Sequence, residues 1–159
     1  MKNDNRAPWI VMGTFLAALA GCGDGGTTDP VVTPEDGADL QVGSDAVMGD
    51  LIVAGDGFSL YIFSKDIPAS ADLDPVSACQ GGCLDAWPAY DAGESPVIDG
   101  LNAAAFDRYQ RADGSYQTTY LGWPLYRFAN DQAAGDLNGE GNGGTWYAAV
   151  PKSDDLFMR

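Results

Sequence analysis

The residues of this chain that could carry chemistry are carboxylates, tyrosines and cysteines, because the sequence contains no histidine. This absence excludes Ser-His-Asp and Cys-His nucleophile systems, histidine-ligated zinc or copper, and haem held by a histidine. An enzyme would have to use carboxylates alone, as glycosidases do with a flanking pair. No spacing in the sequence selects such a pair, so we expect no catalytic residues and no enzymatic activity.

Oxygen side chains are densest in a glycine-rich segment near the C-terminal end. Asp136, Asn138 and Glu140 occupy alternate positions before Gly141, as at the start of a calcium loop. A complete loop ends with a bidentate glutamate, and the corresponding position here is Tyr147. A turn built from Gly, Asp and Asn is therefore the alternative interpretation. For a metal site, the predicted ligands are Asp131, Asp136, Asn138 and Glu140, the predicted cation is calcium, and Asp66, Asp72 and Asp74 form a weaker cluster.

Acidic residues outnumber basic ones by 23 to 8, and the formal net charge is −15. Nucleic-acid partners require a basic surface, so this class of partner is excluded. The acidic excess is explained either by a solvated surface or by cation binding. No motif requires a cofactor.

The N-terminus has the pattern of an export signal. Lys2 and Arg6 precede an apolar run from Ala7 to Ala20, which is short for a bilayer span and ends in small residues. Leu19, Ala20, Gly21 and Cys22 resemble the lipobox of bacterial lipoprotein precursors at all four positions. The resemblance implies a signal peptide at residues 1–21, cleavage before Cys22 and lipidation of its sulfur, which would anchor the protein to a membrane. An ordinary secretory signal followed by a free cysteine is the alternative.

Cys79 and Cys83 are the remaining cysteines once Cys22 is lipidated. An isolated pair in an oxidising envelope is expected to form a disulfide, here a local clip worth about 2 kcal/mol. A redox-active pair is the alternative. Its spacing differs from Cys-x-x-Cys, and no neighbouring basic residue lowers a thiol pKa.

Two similar stretches organise the rest of the chain. Leu-Tyr-x-Phe-x-x-Asp occurs at residues 60–66 and again at 125–131, which indicates an internal repeat. Tyr and Phe two positions apart lie on one face of a strand, so each copy directs two aromatic rings toward a core. The aspartate is predicted to close a turn through backbone N–H groups, or alternatively to bind a ligand. The motif residues are Tyr61, Phe63, Asp66, Tyr126, Phe128 and Asp131.

The elements that must position these residues are short strands. Asp56-Gly57 and Asp113-Gly114 are hairpin signals between apolar runs, and 21 glycines and 9 prolines make long helices improbable. We predict an all-β fold, a single antiparallel domain resembling a small sandwich or barrel, made of two fused pseudo-symmetric repeats at about residues 49–95 and 106–152. Helical turns are expected only at 83–86 and 101–105. Trp87, Trp123 and Trp146 are expected in the core.

A segment between the lipobox and this domain is rich in Gly, Thr, Pro and Asp. Little in it could offset the entropy of ordering, so residues 22–38 are predicted to be a lipidated cysteine followed by a disordered tether. The folded domain is predicted at residues 39–159. A tether of this length spans roughly 20 to 25 Å, which would hold the domain close to a membrane surface.

Several motifs together resemble those of a known family. They are the repeated Tyr-x-Phe-x-x-Asp, the two cysteines before Trp87-Pro88, Arg111 and Asp113-Gly114 leading to Gln117 and Tyr120, and Gly135-Asp136 before Trp146. The chain resembles the bacterial secreted-repeat lipoproteins with the Tyr-x-(Phe/Trp/Tyr)-x-x-Asp motif, over nearly all residues after the tether. Glu140 stands where a glutamine is expected. The resemblance implies an envelope lipoprotein, and the family has no established biochemical activity.

The sequence therefore predicts a lipid-anchored envelope protein that acts as a non-catalytic binding or structural module. Its expected partners are the membrane, through the anchor, and an envelope protein or polymer. Gly23 after Cys22 favours the outer membrane, on its periplasmic or surface face, in a cell with two membranes; otherwise the extracytoplasmic face of the plasma membrane is expected. Calcium or another hard cation bound at residues 131–140 is one alternative function. A redox accessory of an envelope electron-transfer system is the other.

Overall fold

The structure is a computed structural model that describes residues 38–151. The predicted signal peptide, the lipidation site Cys22 and all but the last residue of the predicted tether lie outside the described residues, as do residues 152–159. Within the described part, no helix has the length and apolar character that crossing a membrane requires.

Seven short strands make up most of the regular structure of residues 38–151. They are β1 (Leu40–Asp45), β2 (Gly49–Ala54), β3 (Tyr61–Phe63), β4 (Phe106–Gln110), β5 (Tyr116–Tyr120), β6 (Trp123–Pro124) and β7 (Trp146–Ala148). One helical turn, α1 (Cys83–Ala86), and two 3-10 turns (Ala103–Ala105 and Asn142–Gly144) complete the elements. The prediction of a β fold with almost no helix is confirmed, including the helical turn at 83–86.

The strands form three small antiparallel sheets. β1 pairs with β2, β3 pairs with β7, and β4, β5 and β6 form a three-stranded sheet in that order. The sheets do not close on one another, so the barrel-like arrangement is wrong for the described residues. The physical reason is that the strands have only two to six residues and end in turns before further pairing can extend.

Both predicted hairpin turns are present. Gly57 and Gly114 have φ values of +82° and +85°, a conformation that favours glycine. β4 and β5 pair directly across the second turn. After the first turn the chain forms only one bridge with β2, between Val53 and Ser59, before β3 departs to pair with β7. β1, which the sequence did not predict as a strand, takes the place beside β2.

The core is centred on the two motif tyrosines. Tyr61 and Tyr126 are both 0% exposed, and they exchange two backbone hydrogen bonds, with N···O distances of 2.8 and 2.9 Å. This bridge joins β3 to the segment that follows β6. Leu60, Ile62 and Leu125 are also fully buried beside the tyrosines. The two motifs therefore lie side by side in one core, antiparallel where Tyr61 and Tyr126 pair.

Candidate functional site

The motif tyrosines and aspartates pair across the two motifs rather than within them. The Tyr61 hydroxyl donates to Asp131 Oδ2, and the Tyr126 hydroxyl donates to Asp66 Oδ2, both at 2.7 Å. All four residues are buried. Each motif therefore completes the hydrogen bonding of the other.

Each motif carboxylate also holds a loop that lies further along the chain. Asp66 Oδ1 accepts from the Ala78 N–H at 2.8 Å, and Asp131 Oδ1 accepts from the Asn138 N–H at 3.0 Å. The local turn predicted at the end of each motif is present, because each aspartate N–H donates to the motif phenylalanine carbonyl. Only the first motif contains the predicted strand, β3, whereas the second forms isolated bridges at Tyr126. The side-chain oxygens, however, accept from N–H groups that lie 12 and 7 residues further along the chain rather than from the turn itself.

Burial changes the proton affinity of these groups. It raises the pKa of Asp66 to about 6, against the opposing effects of the Tyr126 hydroxyl, the Ala78 N–H and the positive charge of Arg111. Burial is also the main reason that the pKa values of Tyr61 and Tyr126 lie well above the ordinary tyrosine value, and the neighbouring carboxylate adds to each. The tyrosines therefore stay protonated and act as donors.

Four aromatic rings form a continuous stack beside these pairs. Phe63 stacks on Trp146 with 4.1 Å between ring centroids, Trp146 on Trp87 with 3.8 Å, and Trp87 on Phe128 with 4.2 Å. Here too the partners are exchanged, because each motif phenylalanine lies on the tryptophan that follows the other motif. Trp87 and Trp146 are buried, as predicted, whereas Trp123 is only partly buried against the core.

Cys79 and Cys83 form a disulfide with a Cα–Cα distance of 5.3 Å, so the predicted pairing is confirmed. Cys79 is fully buried. Its carbonyl oxygen accepts hydrogen bonds from the Ser77 hydroxyl and from Arg111 Nη2. The disulfide therefore helps to position the Cys79 carbonyl, which accepts two side-chain hydrogen bonds.

The four predicted calcium ligands lie in one loop, but most of their polar atoms bond to the backbone. Asp136 Oδ2 accepts from the N–H groups of Gln132 and Ala133, and Glu140 Oε2 accepts from the Ala148 N–H at 2.6 Å. The Asn138 side-chain amide donates to the Asn130 carbonyl, and Asp131 accepts from the Tyr61 hydroxyl and the Asn138 N–H. In residues 38–151, no group of three or more Asp, Glu, Cys or His side chains is arranged to hold a metal ion. Calcium binding stays a prediction.

A cavity of about 270 Å³, which the sequence did not predict, lies near the hydrogen-bonded pair of Tyr126 and Asp66, called the Asp66 pair below. We call it the Arg111 cavity. It lies between the segment 75–81 and the end of β4 with its turn, residues 109–113. Its polar lining residues are Ser77, Gln80, Tyr109, Gln110, Arg111 and Asp113.

Arg111 is a buried cation with an incomplete set of partners. The residue is 6% exposed. Its Nη2 donates to the Cys79 carbonyl at 2.7 Å, and its Nη1 donates to Gln117 Oε1. Nε lies 3.5 Å from Asp113 Oδ2, yet it has no hydrogen-bond partner among the described residues. An unpaired buried N–H is costly, which makes this atom the least satisfied donor of the site.

Polar contacts connect the cavity to the Asp66 pair. Ser77, which lines the cavity, has its hydroxyl oxygen 2.6 Å from that of Tyr126, which in turn donates to Asp66. On the other side of Arg111, Gln117 accepts from the Tyr109 hydroxyl at 2.9 Å. The sequence feature that could have indicated this site is the pair Arg111 and Gln117 on either side of the Asp113-Gly114 turn. The family resemblance includes both residues.

One comparison with known proteins found a match, to part of the chain. Residues 108–150 match the model of a family described as a secreted repeat of unknown function. A secreted family indicates an extracytoplasmic location. Neither the search of curated proteins nor that of solved structures found a match. The resemblance to the secreted-repeat family is therefore confirmed over residues 108–150, the segment that contains Arg111, Gln117 and the second motif.

Proposed function

We propose that the protein is a lipid-anchored module of the cell envelope that binds or supports a partner and has no catalytic activity. One observation carries the non-catalytic part of this proposal. The motif tyrosines and aspartates, which are the groups best suited to acid–base chemistry, are buried and bonded to one another. A catalytic acid or base must be within reach of a substrate, and these side chains are instead used to join the two motifs.

We further propose that residues 49–95 and 106–152 are two related halves that interlock. The crossed Tyr–Asp hydrogen bonds and the crossed Phe–Trp stacks support this interpretation. In both sets of contacts a residue of one motif completes the other. Neither half would bury its motif residues alone, so the halves are expected to fold together.

The anchor is the part of the proposal that rests on Leu19-Ala20-Gly21-Cys22. It is tested by expressing the full-length chain in a bacterial host supplied with an alkyne-labelled fatty acid. Wild-type protein should take up the label and sediment with membranes. The Cys22→Ala variant should do neither. A wild type without label, or equal labelling of the variant, would contradict lipidation at Cys22.

The same experiment includes a control for general effects of losing a cysteine. The double variant Cys79→Ala/Cys83→Ala lacks the disulfide but keeps Cys22. It should therefore keep the label even if its stability falls, because acylation depends on the N-terminal signal. Loss of label in this variant would show that labelling depends on the folded domain rather than on the lipobox.

A further inference from the structure

We propose that the Arg111 cavity is a binding site for one unit of an uncharged saccharide. The proposal rests on the proposed function, since it names the ligand class of a binding module. It is carried by a cavity, a buried cation within its lining, and the mixed polar character of the side chains around it.

Arg111 is the buried cation in the lining of this cavity. The Arg111 guanidinium donates to the Cys79 carbonyl and to Gln117 Oε1, so its position is set by the fold rather than by a ligand. The Nε–H has no hydrogen-bond partner in the part of the chain that the structure describes. A ligand oxygen would supply the missing acceptor. Nε is itself buried, and Asp113 Oδ2 lies 3.5 Å from it with a side chain that is 49% exposed, so the proposed site requires this carboxylate to move aside when a ligand binds.

The charges around the cavity favour an uncharged ligand. Asp113 offsets the positive charge of Arg111 at the cavity, and the whole chain carries a net charge of −15. A protein field of this sign lowers the local concentration of anions. A free carboxylate or phosphate is therefore a poor ligand, and an uncharged oxygen acceptor suits the site better.

The other lining groups of the cavity are both polar and apolar. The Gln80 and Gln110 amides each donate one hydrogen bond to the backbone, to the Ser77 and Gly114 carbonyls, and each amide has a second N–H and an oxygen that could face a ligand. Asp113 offers a carboxylate acceptor. Saccharide hydroxyls both donate and accept, so they match such a mixed set. Pro75 and Val76 add apolar surface for the C–H faces of a sugar ring. The volume is slightly below the roughly 300 to 1,000 Å³ of typical ligand sites, which limits the ligand to a single ring.

The test follows the Arg111 Nε–H directly by NMR. Full-length ¹⁵N-labelled protein in detergent is titrated separately with glucose, N-acetylglucosamine, acetate and inorganic phosphate. We expect one or both sugars to shift the Arg111 Nε–H resonance saturably. The Nε–H resonances of Arg108 and Arg127, whose guanidiniums pair with Asp91 and Asp56, should not move.

Three results would overturn the proposal. A saturable shift with acetate or phosphate but not with sugar would make the cavity a small-anion site. No shift with any of the four probes would mean that the cavity is not a site for these ligands. Equal shifts at all three arginines would mean nonspecific binding. None of these results would affect the proposed lipid anchor, which is tested separately at Cys22.

A blocking variant avoids disturbing the buried arginine. Ala112 is exposed in the turn and lines the cavity, so Ala112→Phe fills the cavity from outside. It should weaken sugar binding by about tenfold or more, which corresponds to about 1.4 kcal/mol. Ala46→Phe, an exposed substitution in the turn between β1 and β2, is the matched control and should leave binding unchanged. Unchanged binding in Ala112→Phe would place the ligand elsewhere.

Discussion

The two motif carboxylates have the same kinds of hydrogen-bond partner but lie in different surroundings. Asp66 and Asp131 each accept a tyrosine hydroxyl from the opposite motif and an N–H from a following loop. Around Asp66, the Tyr126 hydroxyl also contacts Ser77, which borders the Arg111 cavity. Around Asp131, a glycine-rich loop closes over the pair instead.

Gly139 shows how tightly that second site is closed. Its N–H donates to the Tyr61 hydroxyl at 3.4 Å. A Cβ atom at this position would lie 2.8 Å from the Tyr61 ring and 2.9 Å from Trp87, which leaves no room for a side chain. At both sites, therefore, a Tyr–Asp hydrogen bond joins the two motifs inside the core. The loop that follows each aspartate determines whether a cavity remains beside the pair.

The ring stack is common to both sites, and removing either of its central rings should have the largest effect. Trp87→Ala and Trp146→Ala should each lower the free energy of unfolding by about 3 to 5 kcal/mol, because each leaves a large cavity. Chemical denaturation of the full-length protein measures both values. Similar losses would support equivalent roles for the two halves. A loss below about 1 kcal/mol for one of them would contradict equivalence.

Removal of a tyrosine hydroxyl tests how much each Tyr–Asp hydrogen bond contributes to the stability of the fold. Tyr61→Phe and Tyr126→Phe each remove a hydrogen bond to a buried carboxylate and should cost about 1.5 to 3 kcal/mol. We expect similar losses for the two variants, because each lost hydrogen bond joins a buried tyrosine hydroxyl to a buried carboxylate at 2.7 Å. Thermal or denaturant unfolding of both variants measures the two losses, and a loss near zero for either would contradict this role of its hydroxyl. Tyr147→Phe, which removes a hydroxyl that donates to the Gly144 carbonyl near the surface, is the control.

The closed site predicts sensitivity to a single methyl group. Gly139→Ala should cost about 1 to 3 kcal/mol through overpacking against Tyr61 and Trp87. Gly82→Ala is the matched control, since its Cβ meets nothing nearer than 3.9 Å and its φ of −62° suits alanine. Unfolding curves should show a change within about 0.5 kcal/mol for the control. Equal stability of Gly139→Ala and wild type would show that the loop yields easily.

The Asp66 site predicts a specific dependence of stability on pH. Its folded-state pKa of about 6 lies above the unfolded value near 3.8, so the native state binds the proton more tightly. The stability contributed by the protonated carboxyl is full below the unfolded pKa and decreases as pH rises toward 6. With partial solvent screening, we expect this decrease to be on the order of 1 to 2 kcal/mol.

Asp66→Asn isolates this contribution, because an amide does not titrate. The difference between the wild-type and variant unfolding free energies should change between about pH 4 and 6 and be flat above pH 7. Asp72→Asn, at an exposed position, is the control for general charge effects. A pH-independent difference for Asp66→Asn would contradict the raised pKa.

The smallest expected effect lies in the acidic loop. Asp136→Ala removes acceptors for two exposed N–H groups and should cost about 1 kcal/mol or less, equally in calcium and in chelator. Thermal melts of the full-length protein measure it. Calcium-dependent stabilisation of the wild type that disappears in this variant would establish the calcium site and reverse this expectation.

Much of the fold could be predicted from local patterns. The Asp113-Gly114 turn joins β4 and β5 as expected, and the helical turn at Cys83–Ala86 has the predicted bounds. The disulfide of Cys79 and Cys83 followed from their spacing and the expected compartment. The pairing of β1 with β2 was missed because Gln41, Gly43 and Ser44 give Leu40–Asp45 little apolar alternation.

The site was predicted less well, and the reason is distance along the chain. The repeat identified Tyr61, Asp66, Tyr126 and Asp131 as important. It could not show which tyrosine meets which aspartate, because both pairings satisfy the same local rules. The Arg111 cavity depends on Ser77, Cys79 and Gln117, which come together only when β4, β5 and the disulfide loop pack.

The sequence by itself therefore determined the residue types, the β character of the fold, the turns and the cysteine pair, since these follow from periodicity, glycine conformation and short-range geometry. Only the tertiary structure decided that the two motifs exchange partners and that one pair borders a cavity while the other is closed. The physical reason is that hydrogen bonds and ring stacks between Tyr61 and Asp131 or Trp87 and Phe128 join positions far apart in the chain. Such contacts are selected by the packing of the whole core rather than by any local pattern.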